Sequence, residues 1–513
     1  MEYESVHLNA LLTPLQLLFA GLITAAVAVA CKIWFGESTE CLPPGPNGNV
    51  ASAFKGRAML DVFRELRKEY GPIVSFTLGT KTVIVLNELK ATTDLLDRRG
   101  DIYSSRPRLI VAHEILSGGM RGTTMPYGDK WRKWRKIQHA GMSGRAVLAY
   151  REQQTFESTV VLRDFLADTK KQQESLQRFV TSIVLGICYG RRVKNLESDP
   201  MVLANYAAAA EYRRANVPGR FLVETWPILL WLPRPLQWFR GPLEKTRAKD
   251  ANIYTTFLRT VKQRADTGIA KDCMATYTLW NGGDQGLSEL EVAYALSAPF
   301  SAGIDTTMPA IQWAINVMKK VQAEIDAVVG RDRLPTFQDE AALPYVTAFI
   351  KEVLRFRPVA PLAVPHATTR DDTYGPYVVP KGTTVYGNVD ALTHDPRMFS
   401  NPDKFDPTRF LGRNLDPRLV DFTMPFGFGR RVCPGMYVAL QSIFIVVARI
   451  LWAFDLVKAA DGALPDVDAV VGQGLTQGPA PFRFEVRVRH PDAVRIIEAE
   501  GAEADVRLKE WEY

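Results

Sequence analysis

The sequence predicts a mainly α chain with small β-sheets, preceded by an N-terminal transmembrane helix. Three observations point there: an uncharged apolar run near the start, helical spacing of apolar residues through to about residue 356, and only a few short strand-like runs. The 513 residues carry 47% apolar and 23% charged side chains and a formal net charge of +7. That is ordinary globular chemistry and excludes a disordered, collagenous or disulfide-scaffold protein. Five cysteines without paired spacing argue against a zinc cluster. The mild positive balance, with no basic repeat, gives no reason to expect nucleic acid. It suits an anionic membrane surface or an acidic protein partner.

Residues 1–41 read as a membrane anchor. Leu8 to Cys31 holds no formal charge; at 1.5 Å per residue it spans roughly 36 Å, enough to cross a bilayer with some tilt. Pro14 and Gln16 weaken the span slightly. A secretory signal peptide is the competing reading, against which stand the missing basic start and the length of the run. Glu2 and Glu4 before it, Lys32 after it and Trp34 near the interface favour a lumenal amino terminus and a cytosolic body. Leu42-Pro43-Pro44-Gly45-Pro46 cannot continue a helix and reads as a stiff spacer.

The body, residues 42–513, contains no evident linker and reads as one large domain. Met59, Val62, Phe63, Leu66 and Tyr70 recur at helical spacing. Ile73–Leu78 and Thr82–Leu86 are strand-like, joined by Gly79-Thr80-Lys81. Arg108–Tyr127 lacks a clear period and reads mostly as loop. Tyr377–Val379 and Thr383–Tyr386 predict a hairpin turning at Lys381-Gly382. Phe482–Val488 alternates as a late strand, and Met436–Leu451 reads as an apolar helix.

Residues 426–435 read Phe-Gly-Phe-Gly-Arg-Arg-Val-Cys-Pro-Gly. Glycines let a backbone turn tightly around a sulfur, and amide dipoles at the start of the following helix would stabilise a Cys433 thiolate. The segment resembles the haem-binding signature of the cytochrome P450 family at Phe426, Gly429, Arg431, Cys433 and Gly435. The resemblance implies the P450 fold and haem (heme, iron protoporphyrin IX) with Cys433 as axial ligand of the iron, a thiolate that favours O–O cleavage. It also implies that Arg431 pairs with a haem propionate.

Other segments are similar to the same family. Glu352-Val353-Leu354-Arg355 matches its Glu-x-x-Arg, and i, i+3 spacing puts both side chains on one helix face. An isolated pair of this kind is usually solvated; the resemblance implies a buried, structural triad completed by Arg409. Where the family often has Glu, this chain has Thr408. Ala302-Gly303-Ile304-Asp305-Thr306-Thr307 looks like the oxygen-activation segment, with Gly303 letting ligand and oxygen approach. Asp305 and Thr306 are the candidate catalytic residues, an acid and an alcohol that can organise water and deliver protons. Pro309, if the helix continues, leaves the Asp305 carbonyl without its amide. Trp131-Arg132-Lys133-Trp134-Arg135 resembles the Trp-x-x-x-Arg helix, which implies Trp131 and Arg135 at a propionate; the alternative is an amphipathic basic helix. Arg132, Lys133 and Lys136 would then meet an acidic reductase. His366 stands where the family usually has a propionate-binding His or Arg; a structural histidine is the alternative. Segments around Ile110–Leu116, Tyr294–Ala302, Val359–Val364 and Leu475–Thr476 would line an apolar cavity.

The resemblance therefore implies a monooxygenase that inserts one atom of O2 into a lipophilic small molecule. Electrons would come from NADPH through NADPH-cytochrome P450 reductase. The character is that of a fungal microsomal member serving secondary metabolism on polyketides, terpenoids or indoles. Expected is a single-pass protein of the endoplasmic reticulum membrane, in contact with lipid, with its catalytic domain in the cytosol. Two alternatives stand beside it. One is a haem-thiolate isomerase or dehydratase that does not use O2, against which Asp305 and Thr306 argue. The other is a non-catalytic haem-binding relative disabled by a shortened segment near 311–321. There, by comparison with the family, about eight residues and a turn are missing between two helices, a departure expected to leave those helices fused or poorly joined.

Overall fold

The protein is described by a computed structural model covering residues 41–217, 219–281, 286–315, 320–412, 415–459, 469–472 and 475–512. The expected membrane anchor lies, apart from Cys41, outside the described residues.

The main helices are α1 (Met59–Tyr70), α2 (Asp129–Met142), α3 (Arg151–Ala167), α4 (Gln172–Tyr189), α5 (Pro200–Ala215) and α6 (Arg240–Asp266). They continue with α7 (Met274–Asn281), α8 (Glu289–Ile315), α9 (Val321–Val328), α10 (Pro344–Phe356), α11 (Met436–Ala453) and α12 (Asp492–Leu508). Local chemistry sets several of their ends. Asp199 caps α5, its carboxylate accepting from the amides of Met201 at 2.9 Å and Val202 at 3.2 Å, with Pro200 at the first helical position. Gly190 ends α4 in the left-handed region, φ 68°.

Helix α8 is the central element and packs on α4, α6 and α11. Helix α11 is long and apolar enough to cross a membrane, but most of it is buried inside the protein, so it is a core helix. The segment expected to be shortened lies partly outside the described residues, at 316–319. On either side of it α8, described as far as Ile315, and α9, from Val321, both pack on α11, and Gln322 of α9 donates to the carbonyls of Leu451 at 3.3 Å and Phe454 at 3.0 Å.

The strands are β1 (Ile73–Leu78), β2 (Lys81–Leu86), β3 (His366–Ala367), β4 (Asp372–Tyr374) and β5 (Tyr377–Val379), followed by β6 (Thr384–Gly387), β7 (Phe454–Lys458), β8 (Val470–Val471), β9 (Gly478–Pro479) and β10 (Phe484–Val488). The largest sheet has the order β1-β2-β6-β3. The hairpin expected between Tyr377–Val379 and Thr383–Tyr386 does not form. Strand β5 pairs back to β4, while β6 runs parallel to β2 with Val83 opposite Thr384. Burial explains it: Thr384, Val385 and Gly387 are buried, and pairing with the buried end of β2 covers them. Within the segment read as loop, Ile110–Leu116 forms a wide π-helical turn, and all of it but Glu114 is buried. Its apolar side chains make a second small core with Ala215, Val223 and Phe239.

Candidate active site

The cysteine loop is shaped by two glycines in the left-handed region, Gly427 at φ 87° and Gly429 at φ 54°. A Cβ at position 429 would stand 2.1 Å from the carbonyl oxygen of Leu96, so only glycine fits there. The Gly429 amide donates to the carboxylate of Asp97, which ties the loop to the turn Thr93–Arg98. The Cys433 amide donates to the Phe426 carbonyl at 2.9 Å and closes the loop just ahead of α11, with Gly435 beside the sulfur. The Cys433 side chain is exposed, yet enough protein surrounds it that burial pushes the thiol up; the Gly435 amide and the charge of Arg135 pull it back down.

Three guanidinium groups, those of Arg431, Arg106 and Arg135, gather beside this loop, and Arg135 acts on the thiol itself. Arg431 is buried and donates to the carbonyls of Ser104 at 2.7 Å, Gly122 at 3.2 Å and Met125 at 2.7 Å, and stacks 4.3 Å above the ring of Trp131. Arg106 donates to the carbonyls of Thr123, Val364 and Pro365. Arg135 is half-buried on α2, one turn after Trp131. None of the three has an ion-pair partner among the described residues. Burial and mutual repulsion bring Arg431 down to about 8; burial brings Arg106 down to about 9 and lowers Arg135.

The sequence had not singled out Arg106. It follows Ser104-Ser105 without a motif, and only the fold brings it to Arg431. His366, the residue expected there, is buried on β3, and its Nδ1 lies 2.8 Å from the Tyr103 carbonyl. A carbonyl only accepts, so Nδ1 carries the hydrogen and Nε2 is a lone pair. Burial, Arg106 and Arg431 hold the ring neutral, well below its ordinary value. In that state it has no proton to offer an anion.

The expected oxygen-activation segment lies in α8, and its residues divide. The Cα of Gly303 lies against α4. A Cβ there would meet Cγ2 of Val184 at 2.8 Å, so the glycine serves close packing of α8 on α4. Ala302 is the exposed small residue of the motif. Thr306 Oγ1 donates to the Ala302 carbonyl at 3.0 Å. Asp305 Oδ2 accepts from Arg213 of α5 at 2.8 Å, and Oδ1 has no partner among the described residues. Pro309 lies inside α8 with Gly478 of β9 packed close to its ring.

Glu352, Arg355 and Arg409 are brought together. Arg355 grips Glu352 through two bonds of 2.6 and 2.8 Å, both side chains fully buried. Arg409 Nε stands 3.4 Å from Glu352, and its terminal nitrogens donate to the carbonyls of Ser400, Asn401 and Lys404. The Asp406 amide donates to Glu352 at 2.7 Å. Thr408, where the family often has Glu, bonds Asp406 instead.

Two of the segments expected to line a cavity are joined: the Gln477 amide donates to the Val359 carbonyl at 2.8 Å. On α2, Arg132, Lys133 and Lys136 are all exposed. Arg132 pairs with Asp129, and Lys133 donates to the Gly286 carbonyl at 3.3 Å.

A helix-rich fold that presents one thiol at a helix start, beside uncompensated guanidiniums, has the features of a thiolate-bound prosthetic group with acidic side arms. The family model Cytochrome P450 matches residues 43–486, and the chain belongs to that family. It is 35% identical over 486 residues to a cytochrome P450 monooxygenase of Armillaria gallica, covering 90% of this chain and 94% of that one. It is 36% identical to cytochrome P450 monooxygenase 253 of Postia placenta, covering 93% of each. It is 33% identical to cytochrome P450 monooxygenase polD of Polytolypa hystricis, covering 94% of this chain and 96% of the relative. A solved zebra fish cytochrome P450, in a structure with abiraterone, shares the fold at a TM-score of 0.66 and 24% identity, over 84% of this chain and all of the other. Family membership carries a thiolate-ligated haem. The residues present fit it: one sulfur for the iron, and three desolvated cations for two carboxylates.

Proposed function

We propose that this chain is a membrane-bound haem-thiolate monooxygenase that inserts one oxygen atom from O2 into a lipophilic small molecule in fungal secondary metabolism. Its electrons come from NADPH through NADPH-cytochrome P450 reductase. The observation that carries the reading is the Cys433 loop beside Arg106, Arg135 and Arg431, cations that have no acid partner among the described residues.

When bound, the haem supplies the redox chemistry by which one atom of O2 enters the substrate and the other leaves as water. Cys433 holds the iron as thiolate, with Phe426, Gly429 and Gly435 shaping its loop. Arg431, Arg106 and Arg135, with Trp131 beneath the Arg431 guanidinium, hold the propionates. Thr306 Oγ1 spends its hydrogen on the Ala302 carbonyl and so offers lone pairs to a water. Asp305 keeps Oδ1 for the same water chain and passes protons along it. Glu352, Arg355 and Arg409 brace the loop that crosses beneath, a structural role.

The membrane reading has support in the body as well as in residues 1–41. Leu222, Trp226, Ile228, Trp231, Leu236 and Trp238 are exposed, Trp231 at 84%, in one segment that also carries Arg220 and Arg234. Exposed tryptophans beside basic residues suit the bilayer interface. The exposed Arg132, Lys133 and Lys136 suit an acidic reductase.

The test is expression in microsomes with and without reductase. Expected are a thiolate-type Soret band in the reduced, carbon-monoxide-bound spectrum, its loss in Cys433→Ser, and product formation coupled to NADPH and O2 consumption. A folded protein without that band would overturn the reading, and product formed without O2 would favour an isomerase or dehydratase.

A further inference from the structure

A group of polar side chains is buried where α6, α8 and the Ile110–Leu116 loop meet, away from the cysteine loop. Asp250 is 5% exposed, Tyr254 1% and Tyr294 2%. The Tyr254 and Tyr294 rings pack edge to face, with centroids 5.0 Å apart. Arg121 donates to the Tyr254 hydroxyl at 3.4 Å and lies 4.1 Å over the ring of Tyr212 from α5. The Tyr294 hydroxyl is buried with no partner. The Asp250 carboxylate has no hydrogen bond and no ion pair among the described residues, although Arg121 is its nearest opposite charge and Glu211 a like one. A buried hydroxyl without a partner is uncommon, because it loses its hydration without replacement, and here it stands beside a carboxylate that no protein donor among the described residues meets.

Tyr294 stands on the helix that carries the residues of the proposed oxygen chemistry. Tyr294, Ala298, Ala302 and Thr306 follow one another at steps of four along α8, a stripe of neighbouring side chains inclined to the helix axis. The two alanines in that stripe keep exposed surface although the helix is central in the core. From Thr306 to Tyr294 the stripe runs roughly 18 Å.

We propose that Asp250, Tyr294 and Arg121 form a subsite for a hydroxyl group carried by an otherwise apolar substrate, at the end remote from the oxidised carbon. An alcohol matches the group: its hydrogen goes to the Asp250 carboxylate, and its lone pairs accept from Arg121 and the Tyr294 hydroxyl. A hydrocarbon end leaves the Tyr294 hydroxyl and the Asp250 carboxylate without a partner, and a carboxylate end meets the charge of Asp250. Burial pushes Asp250 up to about 6, so it remains an acceptor at pH 8. This subsite rests on the monooxygenase reading for the cavity it serves.

The experiment uses the haem-loaded full chain and alkyl imidazoles as probes. The imidazole anchors on the iron and shifts the Soret band, whatever the tail does. Hydroxyl-ended, methyl-ended and carboxylate-ended tails are compared in a series of increasing length at pH 8. The expected result is a length at which the hydroxyl-ended probe binds about tenfold or more tighter than its methyl-ended counterpart. Tyr294→Phe and Asp250→Asn each reduce that preference while leaving the methyl-ended probe unchanged. No preference at any length, a preference for the carboxylate end, or a preference untouched by both substitutions overturns the subsite and leaves the haem reading standing. A chain with no thiolate-type band overturns both.

Discussion

The carboxylate of Asp305 is held by the guanidinium of Arg213, 2.8 Å away on the neighbouring helix. Both side chains are about half exposed, so the pair contributes little to stability. Arg213→Gln is expected to leave the melting temperature within about 2 °C while changing the product formed per NADPH. Asp305→Asn is expected to lower that ratio about tenfold or more. Thermal unfolding and coupled turnover on the same preparations check both; a large fall in melting temperature for Arg213→Gln would refute the first.

Gly303 packs on Val184 and leaves no room for a methyl group. Gly303→Ala is expected to destabilise by about 1–3 kcal/mol through overpacking. The double variant with Val184→Ala should recover most of that loss, since the clash is with one Cγ. Denaturant midpoints of the single and double variants measure it. Destabilisation that the second change does not relieve would mean that the glycine answers to something other than α4.

The Glu352 and Arg355 pair is fully buried, so removing one partner strands the other. Glu352→Ala or Arg355→Leu is expected to cost about 3–5 kcal/mol, seen as loss of folded, haem-loaded protein. Arg409→Lys should be milder, because its ion-pair distance to Glu352 is already 3.4 Å.

Asp250 sets a pH dependence. Its folded value is raised to about 6 by burial, above the ordinary aspartate value. Keeping it ionised therefore opposes folding at neutral pH. That penalty, about 3 kcal/mol for a shift of about two units, is relieved as pH falls through 6 toward 4. Asp250→Asn should raise stability at pH 7.5 and flatten the slope between pH 4 and 6. Unfolding midpoints of both proteins across that window test it, and equal slopes would refute it.

The cysteine loop was legible because its chemistry is concentrated in ten consecutive residues, and Glu352 with Arg355 because one helical turn joins them. Arg409 could be matched by its Phe405-Asp406-Pro407 setting. Arg106 was not legible: it meets Arg431 across 325 positions, and no local pattern marks it. Gly303 reads in the sequence as an opening for ligand and oxygen; that its Cα lies against Val184 of α4 depends on helix packing that no local pattern records. The partner of Thr384–Gly387 was misjudged for a related reason. A turn at Lys381-Gly382 is a local signal, whereas β2 lies about 300 residues earlier and wins through burial.

The tie between Asp97 and Gly429 spans 332 positions. The ribosome has therefore made most of the chain before the cysteine loop can acquire its final shape. Until then the thiol has no defined neighbours, and this region must wait for late, long-range contacts that form slowly. Pigment loading should accordingly trail synthesis, and shortage of the prosthetic group should leave full-length but immature chains rather than truncated ones.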